Sequence, residues 1–112
     1  MVNSKQKGKR GELEAVRLLK KILPNWDWKR SQQYCGIGEG AADVVGHPDL
    51  HIEVKRTERG NKALYGWLDQ AIDDAENYQI PVVLTRANGQ DWVLCILAED
   101  LPEVARLCGS EI

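Results

Sequence analysis

Glu53 and Lys55 stand two residues apart in the stretch HIEVKRTE, residues 51–58. The run reads as a strand, along which successive side chains alternate between faces. Glu53 and Lys55 therefore share a face with His51 and Thr57, while Ile52 and Val54 point into the core. Taken alone, an acid and a base at this spacing also describe a surface ion pair contributing under about 1 kcal/mol. A second carboxylate changes the chemistry in prospect. Asp43 lies ten residues upstream of Glu53, just before Val44-Val45, and the intervening GHPD reads as a turn that lays the two strands side by side. Asp43 and Glu53 would then converge at one edge of the sheet. Two carboxylates so placed repel, and one stays protonated near neutral pH unless a cation lies between them. Mg2+ is the expected cation, with Mn2+ as its substitute, because it takes hard oxygen ligands, keeps several waters and bridges to phosphate. Lys55 beside such a site could stabilise a developing anion or position the attacking water.

A third acid comes from the first helix, which offers Glu12 and Glu14. Glu12 lies on the line of Val16, Leu19 and Leu23, at the buried stripe. Glu14 lies among Arg10, Arg17, Leu18 and Lys21, a solvated face with intrahelical charge pairs available. Two readings of Glu12 stand side by side: an acid turned toward a metal, and a boundary residue in the fraying first turn.

The elements that must position these groups follow from the hydrophobic pattern. Residues 6–23 read as a helix with Leu13, Val16, Leu19 and Leu23 at helical spacing, ended by Pro24-Asn25. WDWKRSQQ (26–33) alternates as a strand, CGIGEGAA is a glycine-rich loop, and DVV and LHIEVKRTE are strands about a turn at 46–49. After the RGNK break, residues 63–78 read as a helix with Leu64, Trp67, Leu68, Ala71, Ile72 and Ala75 on one side. IPVVLTRA and DWVLCILA are strands joined by NGQ, a hairpin signal. EDLPEVARLC closes as a short helix, with Glu99 or Asp100 near its cap and Pro102 in its first turn. The order is αβββαββα, and a strand–helix–strand passage within it implies a mixed sheet with helices packed on it.

Length and composition bound what this can be. The chain has 112 residues, 43% hydrophobic and 29% charged, and is expected to form a single domain over 1–112. Residues 1–62 carry 13 Lys and Arg against 8 Asp and Glu, and residues 63–112 carry 2 against 9, so that a basic half can meet phosphate while an acidic half faces away. No apolar run approaches the roughly 18 residues of a membrane span, and no secretory signal is visible. Cys35, Cys95 and Cys108, odd in number and irregular in spacing, read as free thiols in a reducing compartment. The expected location is the cytoplasm of a bacterium or of its phage-infected host. His47 and His51 flank a Pro-Asp turn and read as turn histidines, with His51 on the face of Glu53.

KGKRGELEAVRLL at 7–19, Arg30-Ser31, AADVVG at 41–46 and IEVKRT at 52–57, in that order, resemble the PD-(D/E)XK nuclease superfamily. Within it the likeness is to the small Holliday-junction-resolvase-like members and the phage-type VRR-NUC nucleases, over roughly residues 5–97. The resemblance implies a restriction-endonuclease-like α/β fold: a mixed β-sheet flanked by helices. It implies a catalytic set of Glu12, Asp43, Glu53 and Lys55. Asp43, Glu53 and the Val54 carbonyl would hold Mg2+, and Glu12 would reach it directly or through water. It further implies a Mg2+-dependent DNA endonuclease of recombination or repair, selective for a Holliday junction or flap, leaving 5′-phosphate and 3′-hydroxyl ends. Lys7, Lys9, Arg10, Arg30, Ser31, Tyr34, Arg56 and Gln70 are the residues expected to face DNA; Gln70 also reads as a plain surface residue. So small a nuclease is expected to act as a homodimer. Two departures stand out: Ala42 precedes Asp43 where the family name has Pro, and QQYCGIGEG makes a longer loop, which bears on junction specificity. A different class, a nucleic-acid-binding or assembly module of this fold that does not cleave, would be free to lose Lys55.

Overall fold

The computed structural model describes residues 4–31, 42–59 and 63–109, with side chains from residue 8 onward. Tyr34, Cys35, most of the glycine-rich stretch, residues 60–62 and the Lys7 side chain lie outside what it describes. In chain order the elements are α1 (Ser4–Ile22), β1 (Lys29–Arg30), β2 (Val44–Val45), β3 (Leu50–Thr57), α2 (Leu64–Asp74), β4 (Ile80–Ala87), β5 (Val93–Cys95), a 3-10 turn (Ala98–Asp100) and α3 (Leu101–Leu107). The five strands form one sheet in the order β1-β2-β3-β4-β5. Neighbours are antiparallel except β3 and β4, which run parallel from Leu50↔Ile80 to Thr57↔Ala87. A parallel neighbour cannot be reached by a tight turn, so the chain crosses through α2. This is the expected αβββαββα order and the restriction-endonuclease-like α/β architecture.

The two helices divide the sheet's faces. Ala15, Val16 and Leu19 of α1 pack on Trp28, Val44, Leu50, Ile52, Ile80, Val82 and Leu84. On the other face Leu68 and Ala71 of α2 pack on Val83 of β4. Along α1 each residue turns about 100°, which puts Glu12 in line with Ala15, Val16 and Leu19. Leu13, expected in the stripe, sits at its rim, 39% exposed, and Ile72 of α2 is likewise 41% exposed.

The expected elements are shorter in three places. Of the strand read over 26–33, only Lys29–Arg30 pairs among the described residues. Trp28 instead turns inward, 1% exposed, and its indole N–H donates to the Leu23 carbonyl at 2.9 Å. That bond satisfies a carbonyl left open at the helix end and keeps residues 24–28 wrapped about α1. The second helix ends at Asp74 rather than residue 78, because Ala75 is extended (ψ 150°) and a turn follows, with the Gln79 N–H on the Glu76 carbonyl. The last strand covers Val93–Cys95, where it pairs with Val83–Thr85, and not all of DWVLCILA. The hairpin at NGQ forms as expected, with Gly89 at φ +77°. Asp100 is the N-cap of α3, with no side-chain capping bond, and Pro102 lies in the first turn.

Gly46, in the turn between β2 and β3, lies against the Trp28 ring; a Cβ there would fall 2.2 Å from Trp28 Cε3. Neither backbone nor buried indole can yield that distance cheaply. Gly46→Ala is expected to destabilise the protein by about 1–3 kcal/mol. Urea denaturation should show this as a lower midpoint with an unchanged slope.

Candidate active site

The two faces of β3 carry different chemistry. Ile52 and Val54 join the core beneath α1, whereas His51, Glu53 and Lys55 alternate onto the α2 side. Asp43 reaches this row from just before β2. Its backbone is held on both sides: its N–H donates to the Ile52 carbonyl at 2.9 Å, and its carbonyl accepts the Ser31 N–H at 3.0 Å. The Asp43 side chain then crosses to β3, where Oδ2 accepts the Val54 N–H at 2.8 Å. Burial pushes the Asp43 carboxyl up from the ordinary 3.8 to about 7; the Val54 N–H opposes this, while Glu53 and then Glu12 add to it through their charge.

Glu53 is 3% exposed and meets Nε2 of the equally buried His51 at 2.9 Å through Oε1. Glu12, half-buried on α1, accepts from Nε of Arg30 at 3.0 Å and lies near enough to Asp43 to act on it electrostatically. Lys55 is half-buried, and its ammonium has no hydrogen-bond or ion-pair partner among the described residues. Glu53 and Glu12 thus lie near enough to Asp43 to act on it through their charge, with Lys55 next along β3. Burial and the charge of its acidic neighbours disfavour the ionised Asp43 carboxyl, and a divalent cation would relieve both.

Several residues sort differently from their expected places. Glu14 is not on a solvated face with intrahelical pairs. It accepts from Arg86 Nη1 at 2.9 Å and lies 3.5 Å from Arg56 Nε, so it ties α1 to β3 and β4. The approach that permits this is close: a Cβ on Gly11 would lie 2.6 Å from Arg56 Cγ. Arg56 is bound inward, its Nη1 also donating to the Arg86 carbonyl at 3.0 Å. Arg30 is bound to Glu12. Lys9, Arg10 and Gln70 are exposed. His47 is a turn histidine, its Nδ1 accepting the Asp49 N–H at 3.1 Å. His51 is not; it lies within β3 and touches Glu53. A ring nitrogen of His51 and carboxylate oxygens of Glu53 and Asp74 lie within 4.8 Å of one another. Their shared strand face was readable in the i, i+2 spacing of His51 and Glu53, but the presence of Asp74 required knowing where α2 ends.

A cleft of about 520 Å3 opens beside this group, lined among others by Lys29, His47, His51, Asp74, Tyr78 and Gln79. It reaches His51 and Asp74 but not Asp43, Glu53 or Glu12. Cys95 and Cys108 are free thiols. Among the described residues no helix is long and apolar enough to cross a membrane.

A family model described as "Phage putative PDDEXK endonuclease" matches residues 3–107. No curated protein and no solved structure matches the chain.

Asp43 keeps its proton up to about 7 in the folded chain but only to the ordinary 3.8 when unfolded. Its stabilising effect is therefore complete below about pH 4 and is lost as pH rises through about 7. In chelator, the urea midpoint of the wild type is expected to fall between about pH 5 and about pH 8, and Asp43→Asn to flatten that fall. An unchanged fall in the variant would place the titrating group elsewhere.

Proposed function

The chain belongs to this family of phage PDDEXK endonucleases, within the PD-(D/E)XK superfamily, and on that premise we propose that it cleaves DNA phosphodiester bonds with a divalent metal at Asp43 and Glu53. The observation that carries the reading is the Asp43 carboxyl, pinned to the Val54 N–H and pushed up by burial and by the charge of the buried Glu53. In this proposal Asp43, Glu53 and the Val54 carbonyl hold Mg2+, with Mn2+ as a substitute, and Glu12 reaches it directly or through water. All are hard oxygen donors, as Mg2+ requires. When bound, the cation supplies positive charge against the scissile phosphate and makes the attacking water more acidic.

The chain's own residues do the rest. The Val54 N–H orients Asp43, and Arg30 holds Glu12. Lys55, with no ion-pair partner of its own among the described residues, is free to orient the water and to meet charge developing on phosphate. Exposed Lys9 and Arg10, at the start of α1, are proposed to contact the DNA backbone. The proposed products are a 5′-phosphate and a 3′-hydroxyl, and the proposed substrates are branched DNAs such as Holliday junctions or flaps, as for the resolvase-like and VRR-NUC nucleases that the motifs resemble. The proposed setting is the cytoplasm, where the Cys95 and Cys108 thiols stay reduced.

Cleavage of four-way-junction, flap and linear duplex DNA tests this directly. The wild type should cut with Mg2+ or Mn2+ and stop with chelator. Lys55→Ala and Glu53→Gln should each lower the rate by at least about 100-fold. Glu14→Gln should cut normally yet melt earlier, because it leaves Arg56 and Arg86 without their acid. DNA binding without cleavage of any substrate would leave the non-cleaving module as the reading.

Two strands need two cuts, and we propose a two-fold homodimer to supply both sites. Light scattering should then give twice the chain mass at working concentration, and the single-chain mass would rule the dimer out.

A further inference from the structure

Glu53 has a neighbour that the reading above leaves without a role. His51 is 2% exposed, lies two residues back on the same face of β3, and brings Nε2 to 2.9 Å from Glu53 Oε1. A carboxylate removed from water to this degree needs donors to keep its orientation and its charge. The Val54 N–H is taken by Asp43. Among the described contacts, the His51 N–H is what remains on Glu53. The ring is itself confined, by β3 on its own strand and by the C-terminal end of α2, where a carboxylate oxygen of Asp74 completes the group within 4.8 Å.

We propose that His51 is the positioning residue of the site. It donates Nε2–H to Glu53 Oε1, so that the carboxylate is turned to present its other oxygen on the Asp43 side. His51 acts through Glu53 and touches neither cation nor DNA. This inference rests on Asp43 and Glu53 being metal ligands.

The test is Mn2+ titration by calorimetry on the full chain, with cleavage measured across Mn2+ concentrations. His51→Gln keeps an N–H donor and His51→Leu keeps bulk without one; Glu53→Gln sets the floor. His51→Leu should bind Mn2+ about 10- to 100-fold more weakly, and His51→Gln should stay within about threefold of the wild type. At saturating Mn2+ the cleavage rate of both should approach the wild-type rate, since orientation of a ligand is lost and not a reacting group. Where His51→Leu fails to fold, His51→Met takes its place as the variant without an N–H donor. A tenfold or greater loss in a natively folded His51→Gln would make the ring itself a ligand and overturn the proposal. So would wild-type affinity in His51→Leu. Wild-type protein that binds Mn2+ no better than Glu53→Gln would overturn the metal site and the positioning role together.

Discussion

A single side-chain hydrogen bond sets the geometry of the site. Asp43 leaves the start of β2, crosses to β3 and accepts the N–H of Val54. That bond fixes one half-buried carboxylate against the strand that carries another. The cost is visible in Asp43, whose carboxyl is pushed up to about 7 by burial and by its acidic neighbours. A chain needing only a stable sheet would place apolar residues here. In the proposed site, a cation would offset the burial and repulsion that folding imposes on the Asp43 carboxylate.

The rest of the fold keeps that bond in register. Asp43 exchanges backbone hydrogen bonds with Ser31 on one side and Ile52 on the other, so β1 and β3 both clamp it. The short turn behind it closes because Gly46 lets the Trp28 ring lie directly on the backbone. Trp28 is in turn tied to the end of α1 through the Leu23 carbonyl. One contact chain thus runs from the first helix through an indole to the turn that delivers Asp43.

The two acids of α1 turn to different neighbours. Glu12 lies in line with the buried residues of the helix and approaches Asp43 with Arg30 beside it. Glu14, turned about 200° away, meets Arg56 and Arg86 and joins the helix to the central strands. Arg56 is therefore part of the frame, held by Glu14 and by the Arg86 carbonyl. Lys55, its neighbour on the opposite face of β3, is left without an ion partner among the described residues.

The sequence by itself determined the elements, their order and the return of Asp43 onto the strand that carries Glu53. Those properties are local: alternation puts Glu53 and Lys55 on one face, a turn at GHPD forces Asp43 back onto that strand, and helical spacing favours Glu12 over Glu14 at the stripe. Tertiary structure decided what local periodicity cannot encode. Periodicity reports which face a residue occupies but not what lies opposite. Thus Glu14 reads as solvated until β3 and β4 bring two arginines to it, and His51 reads as a turn residue until its strand packs beneath α2. Residues 26–33 alternate like a strand, yet the core takes Trp28 and most of the ladder is lost. Asp74 joins His51 and Glu53 only because α2 stops there, four residues before its pattern would suggest. Each of these outcomes depends on contacts between segments far apart in the chain, and those contacts exist only once the sheet has assembled.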